Sequence, residues 1–207
     1  MVSMKQVEKS VLRLGGEFRS ATVNFRSEGN FKCLLFKYLR DLPDTRIPSK
    51  ADTAGIELVH AEFPTTTNSR EHHDLVILTP NSAKIFERDY AEPVGVWSKK
   101  MHFMCVLEVK FSNADPQYDP KIKKDIDRLS NVLKDGTARN SCFIIFIDRD
   151  VDWDINPTYQ DLRRQLERAT RRYSRLKVYC IPGKSGGVFR IEHGTARTIV
   201  DDSQTSV

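Results

Sequence analysis

The chain is poor in cysteine, with four in 207 residues, and no two of them form a CxxC pair. The ligand spacing of a structural zinc site is therefore missing, and so is the dense cysteine framework of a small secreted domain. Cys105, Cys142 and Cys180 lie in apolar stretches. We expect these three to be small buried hydrophobic side chains.

Long apolar runs are also absent. No stretch approaches the roughly 18 to 20 apolar residues that a membrane-spanning helix needs, and the polar start MVSMKQVEKS lacks the apolar segment of a signal peptide. We therefore expect a cytoplasmic protein without a membrane partner. The length suits one core, which predicts a single domain over 1–207, with its core at about 28–182 and a flexible tail at 201–207.

Basic residues outnumber acidic ones by 33 to 28, which suits a polyanionic partner but decides little by itself. Their placement is more informative. Four arginines recur at helical spacing and predict one basic stripe for backbone phosphates, with an ordinary solvated helix face as the alternative: Arg164, Arg168, Arg171 and Arg175. Phosphate contact and ordinary solvation are equal alternatives for four further basic residues: Lys121, Lys123, Lys124 and Arg128.

The spacing of apolar residues predicts a succession of helices and strands. The predicted helices cover 5–14, 29–42, 118–133 and 158–176, and the predicted strands cover 55–63, 74–79, 102–111, 142–147 and 177–181. We expect a loop at 43–53, an irregular insertion at 81–101 and a segment at 188–191 that pairs back. This order predicts an α/β fold with a mixed central β-sheet flanked by α-helices on both faces.

Three local signals refine this scheme. Gly15-Gly16 is expected to end the first helix, and Ser27 is expected to cap the start of the second. The stretch CFIIFI at 142–147 is the most apolar of the predicted strands. It is therefore expected at the centre of the sheet.

Two charged residues interrupt an apolar strand in the sequence MCVLEVKF. Glu108 and Lys110 are two residues apart, so they project from the same face of that strand. Burying an acid and a base there costs several kcal/mol unless they are paired, bound to a metal or open to a cleft. The simplest alternative to a chemical role is an internal salt bridge at the edge of the sheet.

Asp74 favours a chemical role, because it opens the apolar strand DLVIL. If its strand neighbours the strand that carries Glu108, the two carboxylates converge at one end of the sheet. Carboxylates this close need a cation, and oxygen ligands suit Mg²⁺ or Mn²⁺ better than zinc. Together with the ammonium group of Lys110, such an ion equips a site for phosphodiester hydrolysis.

Asp74 and Glu108-Val109-Lys110, with apolar strands around both and an amphipathic helix directly after, resemble the PD-(D/E)xK nuclease superfamily. The resemblance runs from about residue 28 to residue 147. It implies a restriction-endonuclease-like core and a Mg²⁺- or Mn²⁺-dependent nuclease in which metal-activated water attacks the phosphodiester. His73 stands where the motif has its proline, and the insertion at 81–101 accounts for the long gap between the motif halves.

The resemblance also implies roles for particular residues. Asp74 and Glu108 would be metal ligands, the carbonyl of Val109 a further ligand, and Lys110 the catalytic lysine. Many members of the superfamily carry another acid on the first core helix. Glu28, at the start of the second predicted helix, and Glu62, at the end of a predicted strand, are the competing candidates.

The leading hypothesis is therefore an endonuclease acting on nucleic acid, with DNA favoured over RNA as the substrate. One rival is a catalytically inactive nucleic-acid-binding or protein-interaction module on the same fold. A second rival is an RNA-cutting enzyme with the same site. The sequence leaves homodimer formation and protein partners open.

Overall fold

The structure is a computed structural model that describes residues 2–20, 27–49, 53–64, 72–89, 100–112, 118–148, 157–183 and 188–199. Five helices and nine strands lie within these ranges. The helices are α1 (Met4–Ser20), α2 (Glu28–Arg40), α3 (Pro80–Asp89), α4 (Tyr118–Lys134) and α5 (Pro157–Arg172). The strands are β1 (Arg46–Ile47), β2 (Ile56–Glu57), β3 (Val59–Pro64), β4 (His72–Leu78), β5 (Phe103–Ser112), β6 (Cys142–Asp148), β7 (Leu176–Pro182), β8 (Val188–Glu192) and β9 (Thr195–Ile199).

Seven of the strands form one sheet in the order β3-β4-β5-β6-β7-β8-β9. Strands β5, β6 and β7 are parallel to one another, and the other neighbours are antiparallel. The predicted α/β fold with a mixed sheet is therefore confirmed, as is the central place of the strand at 142–147. Its side chains are buried from Cys142 to Ile147, which is why this strand is apolar on both faces.

Helices cover both faces of the sheet. Phe111 on β5 contacts Phe31 on α2, with ring centroids 5.0 Å apart, whereas Lys110 and Glu108 on the same strand contact α4. Because successive side chains of a strand point to opposite faces, α2 and α4 lie on opposite sides. Helix α1 packs beside α2, and α5 packs beside α4. Among the described helices, none has the length and apolar character to cross a membrane.

Helix α2 starts with a polar cap, as the sequence predicted. Ser27 has extended backbone angles (φ −149°, ψ 158°), and Asn30 Oδ1 accepts hydrogen bonds from the Ser27 N–H at 3.1 Å and from its hydroxyl at 3.0 Å. The cap fixes Glu28 in the first helical turn. Its carboxylate therefore lies near the positive end of the helix dipole.

The prediction that Gly15-Gly16 ends the first helix was wrong, since α1 continues to Ser20. A methyl group on Gly15 would lie 3.0 Å from Val188 Cγ2, so the missing side chain lets α1 approach the sheet closely. Phe18, in the following turn, is fully buried. This packing outweighs the cost of about 1 kcal/mol that glycine adds to a helix interior.

Two segments predicted to be irregular contain regular structure. In the predicted loop at 43–53, β1 forms and pairs with β2, which lies in the predicted strand 55–63, and Gly55 directly before β2 has a positive φ of 76°. In the predicted insertion at 81–101, residues up to Asp89 belong to α3, while 90–99 lie outside the described residues. Thr79 caps α3 by accepting the Ser82 N–H at 3.2 Å, and Pro80 occupies the first helical position, where proline is favoured.

The C-terminal part of the sheet is larger than predicted. Strand β8 pairs back on β7, which confirms the prediction for 188–191, and β9 then adds a strand that the sequence pattern missed. Side chains of β9 alternate between half-buried and exposed, so its apolar signal is weak. The predicted tail at 201–207 lies outside the described residues.

Candidate active site

Asp74, Glu108 and Lys110 lie close together at one end of β4 and β5. These strands are antiparallel neighbours, and the Val109 N–H donates a hydrogen bond to Asp74 Oδ2 at 2.8 Å. Lys110 Nζ lies 3.9 Å from the same Asp74 oxygen. Glu108 projects from the same face of β5 as Lys110. Since the N–H and C=O of one residue leave a strand on the same side, the Val109 carbonyl also faces β4.

Helix α2 brings a carboxylate and an ammonium group to this point. Lys32 Nζ donates to Asp74 Oδ1 at 2.6 Å and lies 3.0 Å from Glu28 Oε1, one helical turn away. Lys32 Nζ also lies 3.4 Å from Glu62 Oε1 on β3. Glu28 Oε1 is 3.8 Å from Lys110 Nζ. Both candidates for the additional acid therefore contact the site, Glu28 through two ammonium groups and Glu62 through one.

Helix α4 supplies an acid and a base from the other face of the sheet. Asp125 Oδ2 lies 3.3 Å from Lys110 Nζ, and Arg128 Nη2 lies 2.6 Å from Glu108 Oε2. The same Arg128 nitrogen lies 2.8 Å from Asp125 Oδ1. Neither sequence alternative for Arg128, phosphate contact or an ordinary solvated position, describes this placement, because its guanidinium joins two buried carboxylates.

These contacts define one charge cluster at the end of the sheet. Its members are Glu28, Lys32, Asp74, Glu108, Lys110, Asp125 and Arg128, with Glu62 at its rim. The side chain of Glu108 is 0% exposed, that of Lys110 is 13% exposed and that of Glu28 is 32% exposed. The cluster is therefore closed around Glu108 and open to solvent on the side of α2.

His73 forms the closed end of the charge cluster. Its Nδ1 lies 2.9 Å from Glu108 Oε1, and both side chains are fully buried. Burial, followed by the nearby charge of Arg128, lowers the pKa of His73 from 6.5 to about 3. The ring is therefore neutral at physiological pH, and its Nδ1 shares a hydrogen bond with Glu108 Oε1. His73 lies inside strand β4.

Burial dominates the electrostatics of the acids in the cluster. It raises the pKa of Glu108 well above its usual value, and the neighbouring charge of Asp74 raises it further. Burial also raises the pKa of Asp125. For Lys32 and Lys110 burial lowers the pKa, but the surrounding carboxylates outweigh burial and the net pKa of each lysine lies above its ordinary value. Both lysines therefore carry their positive charge.

The donor chemistry of the cluster fits a divalent ion. Carboxylate oxygens of Glu28, Glu62 and Asp74 converge on one point, and such oxygens are the ligands that Mg²⁺ and Mn²⁺ prefer. That point holds the Lys32 ammonium group. In the described part of the chain, no group of three or more acidic, histidine or cysteine side chains is already arranged as a metal site. Binding of an ion therefore requires the Lys32 ammonium group to move.

The predicted arginine stripe is not one continuous helical face. Helix α5 ends at Arg172, and Arg175 lies beyond it, donating to the carbonyl oxygens of Leu133, Ala138 and Arg139 at 2.9–3.2 Å. The assignment of Arg175 to phosphate binding is therefore replaced by a structural role. Three members of the stripe stay exposed on α5: Arg164, which pairs with Asp161, Arg168, and Arg171, which packs against Gly194.

The structure describes the side chains of two of the three lysines on α4 that were candidates for phosphate contact. Lys123 and Lys124 are exposed on this helix and directly precede Asp125, a member of the charge cluster, in the sequence. The side chain of Lys121 lies outside the described residues. Helix α5 packs on β7, β8 and β9, so its arginines are separated from the cluster by α4.

Two members of the cluster, Lys32 and Asp125, were missed by sequence reasoning. For Asp125 a signal exists, because it falls between Ile122 and Leu129 on the apolar face of α4, where an acid is out of place. For Lys32 the signal is weaker. It follows Glu28 by four residues, a spacing that also describes an ordinary surface ion pair on a helix.

The chain was also compared with known proteins. No protein-family model, no curated protein and no solved structure matches it.

Proposed function

We propose that this protein is a metal-dependent phosphodiesterase that hydrolyses nucleic acid, with DNA as the favoured substrate, on a restriction-endonuclease-like core. The observation that carries the proposal is the meeting of Asp74, Glu108 and Lys110 at one end of two neighbouring strands. The amphipathic helix α4 follows the second of these strands and adds Asp125 to the same place. This order is the one on which the resemblance to PD-(D/E)xK nucleases rests.

The energetic cost of burying these charged side chains supports a functional interpretation of the cluster. Replacing a buried ion pair with apolar residues of similar volume is often neutral or stabilising, so stability alone does not require such a network. Here Asp74 and Glu108 are buried in a sheet whose other buried side chains are mostly apolar, and Asp125 is buried on α4. Charges retained at that cost cluster at functional sites.

The residues of the cluster divide into three roles. Asp74 and Glu28 would offer carboxylate oxygens to a divalent ion on the open side of the cluster. The carbonyl of Val109 faces β4, the strand that carries Asp74. Glu108 would be available as a further ligand once the Arg128 guanidinium had withdrawn from Oε2. When bound, Mg²⁺ or Mn²⁺ would polarise the phosphate and lower the pKa of a bound water. Lys110, positively charged and partly exposed, donates N–H groups to a phosphate oxygen as negative charge develops.

A second candidate is a nucleic-acid-binding or protein-interaction module without catalysis. One observation favours it: Lys32 and Arg128 each lie 2.6 Å from a carboxylate oxygen, of Asp74 and Glu108 respectively. The acids are thereby neutralised without any metal. The module would bind its partner and leave phosphodiester bonds intact.

The test is incubation of the full chain with plasmid, linear duplex DNA, single-stranded DNA and RNA, each with Mn²⁺, Mg²⁺ or EDTA. We expect cleavage with the metals and none with EDTA, and the substrate that is cut separates a DNA-cutting from an RNA-cutting enzyme. The Asp74→Asn variant should be inactive. The matched control is Asp127→Asn, an exposed acid on α4, which should cut at the wild-type rate. Binding without cleavage under every condition would contradict the proposal and favour the second candidate.

A further inference from the structure

Lys32 holds an unusual position for a surface lysine. Its ammonium group lies 2.6 Å from Asp74 Oδ1, 3.0 Å from Glu28 Oε1 and 3.4 Å from Glu62 Oε1. Lys110, the lysine of the motif, lies farther from the two acids that they share, at 3.9 Å from Asp74 and 3.8 Å from Glu28. The three carboxylates of Glu28, Glu62 and Asp74 therefore surround the ammonium group of Lys32 rather than that of Lys110.

The backbone of Glu62 adopts an unfavourable conformation. Glu62 has a φ of 49°, in the left-handed region that residues other than glycine enter at a cost of order 1 to 3 kcal/mol. Its neighbours keep the regular ladder, since Ala61 pairs with Leu75 and Phe63 pairs with His73. The unfavourable conformation is thus confined to the residue whose carboxylate reaches Lys32.

An ammonium group and a divalent ion compete for the same oxygens. Glu28, Glu62 and Asp74 bring three carboxylates to one ammonium group, which neutralises part of their mutual repulsion. A divalent ion at the same place needs those oxygens as ligands at about 2.0 to 2.2 Å, too close for the ammonium group to stay. The ammonium group of Lys32 is carried by a flexible four-carbon chain, so it is able to move away from these oxygens along α2.

We propose that Lys32 is an internal counter-cation that holds the carboxylates together in the metal-free protein and that a divalent ion must displace. This inference rests on the proposed function and extends it by naming the residue that sets the affinity for the metal. Lys32 is a positioning residue in this account. It stabilises the site in the metal-free protein. It also lowers the affinity of the site for a divalent ion below the affinity that the carboxylates alone would give.

The experiment is a titration of the full-length Lys32→Gln variant and of wild type with Mn²⁺, with the free ion measured by electron paramagnetic resonance. Lys37→Gln, an exposed position on the same helix, is the matched control. We expect Lys32→Gln to bind Mn²⁺ about tenfold more tightly than wild type, because the competing charge is gone. Without metal the same variant should unfold at a lower temperature than Lys37→Gln, and Mn²⁺ should raise its unfolding temperature by more than it raises that of wild type.

Each outcome has a distinct meaning. If wild type binds Mn²⁺ and Lys32→Gln binds it equally or more weakly, the role of Lys32 is overturned while the proposed metal site stands. If only the variant binds Mn²⁺, Lys32 is a permanent substitute for the metal, which supports the counter-cation and contradicts metal-dependent activity in wild type. If neither protein binds Mn²⁺, both proposals fail.

Discussion

At the scale of single residues, Glu108 carries a large electrostatic cost. Its side chain is fully enclosed between His73 and Arg128, and burial raises its pKa well above its usual value. The folded protein thus penalises the ionised form that metal binding requires. A residue held in an unfavourable state for function is expected to trade stability against activity.

The Glu108→Gln variant tests directly whether stability is traded against activity at this position. The amide keeps the shape of the side chain and removes the buried charge, so we expect the free energy of unfolding at pH 7 to rise by about 1 kcal/mol. Nuclease activity should be lost, since a neutral amide is a poor metal ligand. Chemical denaturation and a cleavage assay measure the two effects. A loss of stability of about 3 kcal/mol or more would show instead that the ion pair with Arg128 holds the fold together.

His73 gives a prediction about pH. Because burial and Arg128 lower its pKa from 6.5 to about 3 in the folded protein, its contribution to stability is complete above pH 6.5. That contribution is lost as the pH falls toward 3, by at most about 1.4 kcal/mol per pH unit. We therefore expect the ring nitrogens of His73 to show no titration between pH 4 and pH 8 by ¹⁵N NMR. A midpoint between pH 5 and pH 7 would contradict the buried, neutral ring.

The residue scale also shows what a sequence can predict about a site. Glu108 and Lys110 were predictable because charges that interrupt an apolar strand are costly wherever that strand lies. Asp125 left a similar sign on the apolar face of α4. Lys32 left none of comparable strength, because its contact with Asp74 depends on how α2 packs against β4. That packing joins residues 42 positions apart in the sequence.

At the scale of elements, long apolar patterns were predicted well and short or glycine-containing ones poorly. Strand β6 is a continuous apolar run and helix α4 follows a strong periodic pattern, and both were located correctly. Helix α3 was missed because 81–101 was predicted to be an irregular insertion, although Pro80, just before it, favours the first position of a helix. Helix α1 was cut short because the environment of Gly15 is set by β7 and β8, which lie far away in the sequence.

The two glycines of α1 predict opposite effects of substitution. Gly15→Val should lower the free energy of unfolding by about 1 to 3 kcal/mol, because even a Cβ atom there would lie 3.0 Å from Val188 Cγ2. Gly16→Ala is the matched control, since a Cβ atom on Gly16 would have no neighbouring atom within 4 Å. It should stabilise the protein by up to about 1 kcal/mol through helix propensity. Equal effects of the two substitutions in urea denaturation would contradict the close packing of α1 on the sheet.

At the scale of the whole molecule, the net charge of +5 does not by itself define a nucleic-acid surface. Sequence alone grouped four arginines into one stripe, yet Arg175 is used to tie the chain after α5 to the end of α4. The other basic residues predicted to bind phosphate lie on α4 and α5, on one side of the sheet, while the charge cluster opens toward α2. On the proposed function, we expect a duplex to approach the cluster from the side of Glu28 and Lys32.

This geometry links the fold to the proposed chemistry. The antiparallel pair β4 and β5 brings Asp74 beside Glu108 and Lys110, α2 delivers Glu28 and Lys32, and α4 closes the site from the opposite face. No single element contains a working site. Function on this account depends on the complete sheet and on helices packed against both of its faces.

The most direct measurement is the rate at which Lys110→Met cuts duplex DNA in saturating Mn²⁺, relative to wild type. Methionine retains most of the apolar length of lysine and removes the charge that stabilises the developing phosphate charge. We expect the rate to fall by a factor of about 100 or more in protein that remains folded. Wild-type protein that leaves the DNA intact, or a variant that cuts at the wild-type rate, would contradict the assignment of this cluster as a nuclease site.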